Sequence, residues 1–114
     1  MAAEILTTED FDRDFRRLAK RHRSLPQDLR GFITDLAENR VRGAELSPQV
    51  YKYRMGIKSK GGGKSGGARI ISYEVILEQT DKTIYLLTIY DKTDRSSISA
   101  SEIKDLRKRG LNKE

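Results

Sequence analysis

Cysteine is absent from this chain, so disulfides and thiolate chemistry are excluded, and a reducing cytoplasm is the expected compartment. No apolar run approaches the roughly 18 residues needed to span a membrane, and no membrane partner is expected. The N-terminus lacks a basic region followed by an apolar core, which argues against a signal peptide. The lone histidine, His22, has no clustered ligands beside it; neither a metal site nor a small-molecule cofactor is expected. Sustained repeats, proline-rich stretches and acidic tails are also missing, so a single domain over residues 1–114 is the simplest organisation. Negative charge is in deficit: 17 Asp+Glu face 23 Lys+Arg, giving a formal net charge of +6. That balance favours nucleic acid or an acidic protein as partner, without choosing between them.

What the chain has in quantity is basic residues, and they gather between Val50 and Tyr73. The stretch reads as a strand, a glycine-rich basic turn and a second strand. Alternation puts Tyr51, Tyr53, Met55 and Ile57 on one strand face and Lys52 and Arg54 on the other. The turn adds Lys58, Lys60 and Lys64, and Arg69 opens the next strand, opposite the first. Like charges repel, so such crowding implies an anionic partner, and a phosphate backbone is the simplest one. Gly63-Lys64-Ser65 also ends like a nucleotide-binding loop. The full pattern requires glycine at position 58, which is Lys58, and a helix where a strand follows, so nucleotide hydrolysis is disfavoured.

Around this stretch the chain is ordered simply. Ile5 and Leu6 suit a short edge strand, and Thr7 or Thr8 suits a helix cap ahead of Glu9 and Asp10. Phe11, Phe15, Leu18 and Ala19 make one helical stripe, with Arg13, Arg16, Arg17 and Lys20 on the other side. A second helix opens with a Ser24 cap, Pro26 and Gln27, and buries Leu29, Phe32, Ile33, Leu36 and Ala37. Residues 39–48 read as a connector. Strands are expected over 50–57, 68–78 and 82–90, the last two joined by a tight turn at 79–81. Ser99 to Glu102 is a capping box that opens a last short helix with Ile103 and Leu106 inward, and Gly110-Leu111 reads as its stop. The outcome is an α+β fold: an N-terminal strand and a helical hairpin packed on a small, largely antiparallel sheet, with a short C-terminal helix.

These pieces resemble the RelE/ParE superfamily of bacterial type II toxins nearly end to end. The resemblance rests on the L-A-K-R-H-R-S-L-P helix junction, the V-Y-K-Y-R strand, the G-K-S-G-G-A-R-I-I turn and strand, the L-L-T-I-Y-D-K strand end and the Ser99 helix start. Within it, the G-K-S-G-G-x-R signature is most similar to the HigB/RelE-like toxins. The resemblance implies a RelE-like fold, a cognate antitoxin partner and a metal-independent endoribonuclease that cleaves mRNA on the ribosome by 2′-hydroxyl attack. ParE-type members share the fold and poison gyrase instead, and a non-catalytic member that binds RNA or antitoxin is a third reading.

Cleavage of this kind must hold the phosphate in line, offset charge on its oxygens and move two protons. The resemblance carries the phosphate roles to Lys52, Arg54, Arg69 and Lys92. Lys58, Lys60 and Lys64 are left as RNA contacts. At the family's C-terminal tyrosine position stands Ile98, so Tyr90 and Asp91 are the substitute proton-transfer groups, with Lys52 as a further base. Each has a structural alternative: Lys52 and Arg54 as a solvated strand face, Arg69 as the partner of Glu74 or Asp91, and Tyr90 as core.

Overall fold

The computed structural model describes residues 2–77 and 81–111. Eight elements follow in the order β1 (Ala2–Thr7), α1 (Glu9–Ala19), α2 (Leu25–Ala37), β2 (Ala44–Ser47), β3 (Val50–Met55), β4 (Ala68–Ile76), β5 (Asp81–Asp91) and α3 (Ala100–Leu111). The strands form one sheet in the order β1-β5-β4-β3-β2. Only β1 runs parallel to its neighbour, β5; the other pairs are antiparallel. This is the expected α+β architecture. The expected turn residues 79 and 80, with Glu78, lie outside the described residues.

Local chemistry accounts for the helix ends. Thr8, not Thr7, caps α1: its hydroxyl accepts from the Phe11 amide at 3.1 Å, and Glu9, Asp10 and Asp12 fill the positive first turn. The Ser99 capping box forms as expected, with Glu102 N–H donating to Ser99 Oγ at 3.1 Å and Ser99 N–H donating back to Glu102 Oε1 at 3.4 Å.

Three expectations are corrected. Ser24 does not cap α2, because its backbone is already helical (φ −83°, ψ −5°), whereas a capping side chain needs an extended residue. Its hydroxyl donates to Asp28 instead, at 2.6 Å. The connector over 39–48 contains β2, an exposed edge strand whose Ala44 and Glu45 pair with Lys52 and Tyr51. Gly110 does not stop α3, which continues through Leu111. A Cβ at Gly110 would stand 2.7 Å from Thr8 Cγ2, so glycine there permits close approach of α3 to the start of α1.

Alternation along the strands builds two cores. On one face Tyr53, Met55, Ala68, Ile70, Ile84, Leu86 and Ile89 pack under Phe11, Leu18, Leu25, Phe32 and Leu36 of the first two helices. On the other, Val50, Ile71, Leu87 and Tyr90 meet Ile103 and Leu106 of α3. Each fully buried large side chain is worth about 1.5–3 kcal/mol. Pairing of β4 with β5 slips once: Ile71 faces Thr88, but Ser72 faces Leu86. The extra residue, Leu87, is a β-bulge. Beyond it the strand resumes in opposite phase, so Tyr90 shares the α3 face with Arg69, and Asp91 turns to the α1–α2 face beside Ala68.

Candidate functional site

Arg54 on β3, Arg69 on β4 and Tyr90 on β5 are direct cross-strand partners, so a single row crosses three strands on the α3 face. Side chains paired this way stand close, with Cβ atoms about 4.5–5.5 Å apart. Lys52 lies two residues before Arg54 and therefore on the same face. Among the described residues, Lys52, Arg54 and Arg69 form no ion pair. Positive charge on this row is left uncompensated by the fold.

Arg69 is only 6% exposed, and it is held by backbone oxygens. Its guanidinium donates to the carbonyls of Lys64 at 3.0 Å, Ser65 at 3.1 Å and Ala68 at 3.2 Å. Neutral acceptors fix its orientation without cancelling its charge. The Gly63–Arg69 motif thus closes on itself, its arginine gripping the carbonyls of its own lysine and serine. Gly67 is required by the same geometry, since a Cβ there would collide with the Met55 carbonyl oxygen. The expected alternatives for Arg69, Glu74 and Asp91, are engaged elsewhere. Glu74 accepts from Tyr53, Ser72 and Lys82 on the opposite face.

The Tyr90 hydroxyl is buried and, among the described residues, has no hydrogen-bond partner. Burial pushes this phenol up, against the opposing pull of Arg95 and Arg69. It is therefore a protonated O–H donor at neutral pH. Arg95 lies over its ring at 5.4 Å from the centroid, and Glu102 holds Arg95 through two bonds of 2.6 and 3.1 Å.

Asp91 is set apart. Its carboxylate is 1% exposed and accepts from Lys60 Nζ at 2.6 Å, His22 Nε2 at 2.9 Å, Arg21 at 3.1 Å and both the amide and hydroxyl of Thr93 at 2.9 and 2.8 Å. Burial alone would raise its pKa, but the bonds from Lys60, Thr93 and His22 outweigh that and hold the carboxyl well below its usual range. A carboxylate so strongly committed is a poor proton acceptor. Lys60 is taken up by the same cluster, which ties the basic loop to the end of α1. The sequence carries no signal for this cluster, because His22 and Arg21 lie 69 and 70 positions from Asp91.

The remaining candidates are exposed. Lys92 follows the strand end, where its backbone N–H donates to Gly67. Lys58 and Lys64, with Arg54, line a groove between α2 and β3. The structure thus brings Lys52, Arg54, Arg69 and Tyr90 onto one face and places Asp91 and Lys60 on the other. What the row can do chemically is bind a phosphate, place charge on its oxygens and offer one phenolic proton.

Among the described residues, no helix is long and apolar enough to cross a membrane. A protein-family model described as "RelE toxin of RelE / RelB toxin-antitoxin system" matches residues 11–112, nearly the whole chain.

Proposed function

The chain belongs to the RelE toxin family of toxin–antitoxin systems, and on that premise we propose that it is a metal-independent endoribonuclease that cleaves mRNA on the ribosome and so inhibits translation. We place it with the HigB/RelE-like members, on the strength of its Gly63–Arg69 motif. Its partners in this reading are a cognate antitoxin, the ribosome and mRNA, and its compartment is the cytoplasm. The observation that carries the reading is the Arg54–Arg69–Tyr90 row, with Lys52 beside it and, among the described residues, no ion pair to neutralise the cations.

In the reaction, the RNA 2′-oxygen attacks the adjacent phosphorus. A new P–O bond forms as the bond to the 5′-oxygen breaks, leaving a 2′,3′-cyclic phosphate and a 5′-hydroxyl. Arg54 and Arg69 bind the non-bridging oxygens, where negative charge grows in the transition state. Arg69 is suited to this because it is already oriented by carbonyls and has little to lose in reorganisation. Tyr90, kept protonated by burial, gives its proton to the departing 5′-oxygen once RNA displaces Arg95 from its ring. Lys52, two residues before Arg54 on the same face, is placed to take up the 2′-hydroxyl proton. Asp91 is assigned no proton, given its commitments on the opposite face.

The test is induced expression of the wild type beside Arg54→Ala, with mRNA 5′ ends and translation followed over time. Arg54 is exposed, and among the described residues its side chain makes no hydrogen bond, so the variant should fold normally. The wild type is expected to stop growth and produce new mRNA ends, and Arg54→Ala to do neither. Growth arrest with DNA damage and intact mRNA would instead establish gyrase poisoning. An inert wild type would establish a non-catalytic binding protein.

A further inference from the structure

Gly31 sits in the middle of α2, where the fold does not ask for glycine. Its backbone is not in the left-handed region, and a Cβ built there meets nothing within 4 Å. Glycine weakens a helix interior more than any residue but proline. Unlike Gly67 and Gly110, which neighbouring atoms require, Gly31 is a cost without a packing return.

What Gly31 does is widen a groove of about 460 Å³ between α2 and the end of β3. Phe32, Val41 and Met55 supply apolar surface, and Arg54, Lys58 and Lys64 supply charge. None of these three cations forms an ion pair among the described residues. The two acids of the groove are engaged: Asp28 accepts from Ser24 and from the Lys58 amide, and Asp35 pairs with Arg40. Gln27 accepts from Arg30 through its oxygen, which leaves its amide nitrogen to donate. The groove therefore offers donors and positive charge around an apolar floor.

The groove is continuous with the cation row. β2 pairs with β3 only as far as Lys52, so the edge of β3 is open at Arg54 and Met55. Arg54 belongs to both places: it faces Arg69 in register and it lines the groove. A polyanion that has a phosphate at the row and leaves past Arg54 enters the groove next.

We propose that this groove is a second RNA subsite, taking the nucleotide next to the scissile phosphate. Its base lies on the apolar floor at Gly31, and its phosphate lies between Lys58 and Lys64. The proposal rests on the ribonuclease reading for the identity of the chain in the row. Single-stranded RNA is commonly held this way, by a basic track with apolar seats for unstacked bases. The volume suits a small ligand, within the roughly 300–1,000 Å³ of typical sites.

The test fills the groove from a position that has space. KM and kcat for mRNA cleavage on programmed ribosomes are measured for the wild type, Gly31→Ala and Gly31→Phe, together with melting temperature and antitoxin affinity. Gly31→Ala should melt higher, which shows that the position accepts a side chain. Gly31→Phe should remain folded and raise KM about tenfold with kcat little changed, the pattern of lost uniform binding. In parallel, wild type is photocrosslinked to an RNA containing 4-thiouridine and the adducts are mapped, with adducts expected within residues 27–35. An unchanged KM for Gly31→Phe overturns the subsite. So does weaker antitoxin binding at unchanged KM, which would assign the groove to the protein partner. Adducts at 27–35 without any cleavage keep the groove as an RNA site and overturn the ribonuclease reading alone. If the wild type neither cleaves nor crosslinks there, both fall.

Discussion

One face of the sheet closes five donors around the Asp91 carboxylate, three of them from the basic side chains Arg21, His22 and Lys60. The opposite face, one residue earlier, lines up Tyr90, Arg69 and Arg54, with no ion pair on either arginine among the described residues. Both regions are rich in cations, and net charge does not distinguish them. The difference lies in where the compensating charge comes from. Around Asp91 it is internal, and the cations hold three chain segments together. Along the Arg54 row no ion pair among the described residues supplies it, and in the proposed function RNA phosphate does. A basic chain can spend its cations on its own fold or on a partner, and only the location of the carboxylates tells the two uses apart.

The strongest way to break this contrast is Asp91→Ala. It leaves Lys60, His22 and Arg21 facing an emptied, buried position, and the expected loss is roughly 3–5 kcal/mol of stability, read by urea unfolding. A loss below about 1 kcal/mol would mean that the cluster is not structural. Arg54→Ala should do the reverse. Cleavage falls about 100-fold or more, as for other preorganised charge donors, while the unfolding midpoint stays put. A variant that loses both stability and activity would erase the distinction between the two faces.

Acid unfolding sharpens the contrast further. The Asp91 carboxyl is held below its ordinary value in the fold, so its stabilising contribution is complete above pH about 4 and is lost as the pH falls through the folded value. Wild type should therefore lose stability on acidification below about pH 4, and Asp91→Asn should show a flatter decline from a lower starting point. The smallest expected effect is Tyr90→Phe. Removing a buried hydroxyl that has no hydrogen-bond partner among the described residues should raise stability by about 1 kcal/mol while cleavage drops, a stability–activity split measurable on one preparation. Lost stability would show instead that the hydroxyl has a partner in solution.

Much of the scaffold was readable from residue spacing. The stripe of Phe11, Phe15 and Leu18, the alternation through Lys52, Tyr53 and Arg54, and the Ser99–Glu102 cap each act within a few residues, which is the range over which sequence pattern carries information. β2 escaped because all four of its residues are exposed, so no alternation marks it. Gly110 is ambiguous in sequence, because a glycine needed for tertiary approach to Thr8 looks there like a glycine needed for a helix stop. In the candidate site, the pairing of Arg54 with Arg69 follows from a hairpin and could be foreseen. The separation of Tyr90 from Asp91 onto unlike faces is implied by their adjacency, but which residue goes to which face depends on a bulge between the pairs Ser72–Leu86 and Ile71–Thr88, with no local mark. The gathering of His22 and Lys60 around Asp91 depends on tertiary folding alone.

The bulge at Leu87 has a consequence for how relatives should be aligned. A bulge adds a residue to one strand and leaves the pairing beyond it intact, so a one-codon deletion of Leu87 would keep Tyr90 opposite Arg69 and Asp91 opposite Ala68. Two homologues that differ in length by one position at the bulge would then carry the same strand end, and a gap placed at Leu87, not at Tyr90 or Asp91, brings their site residues into line.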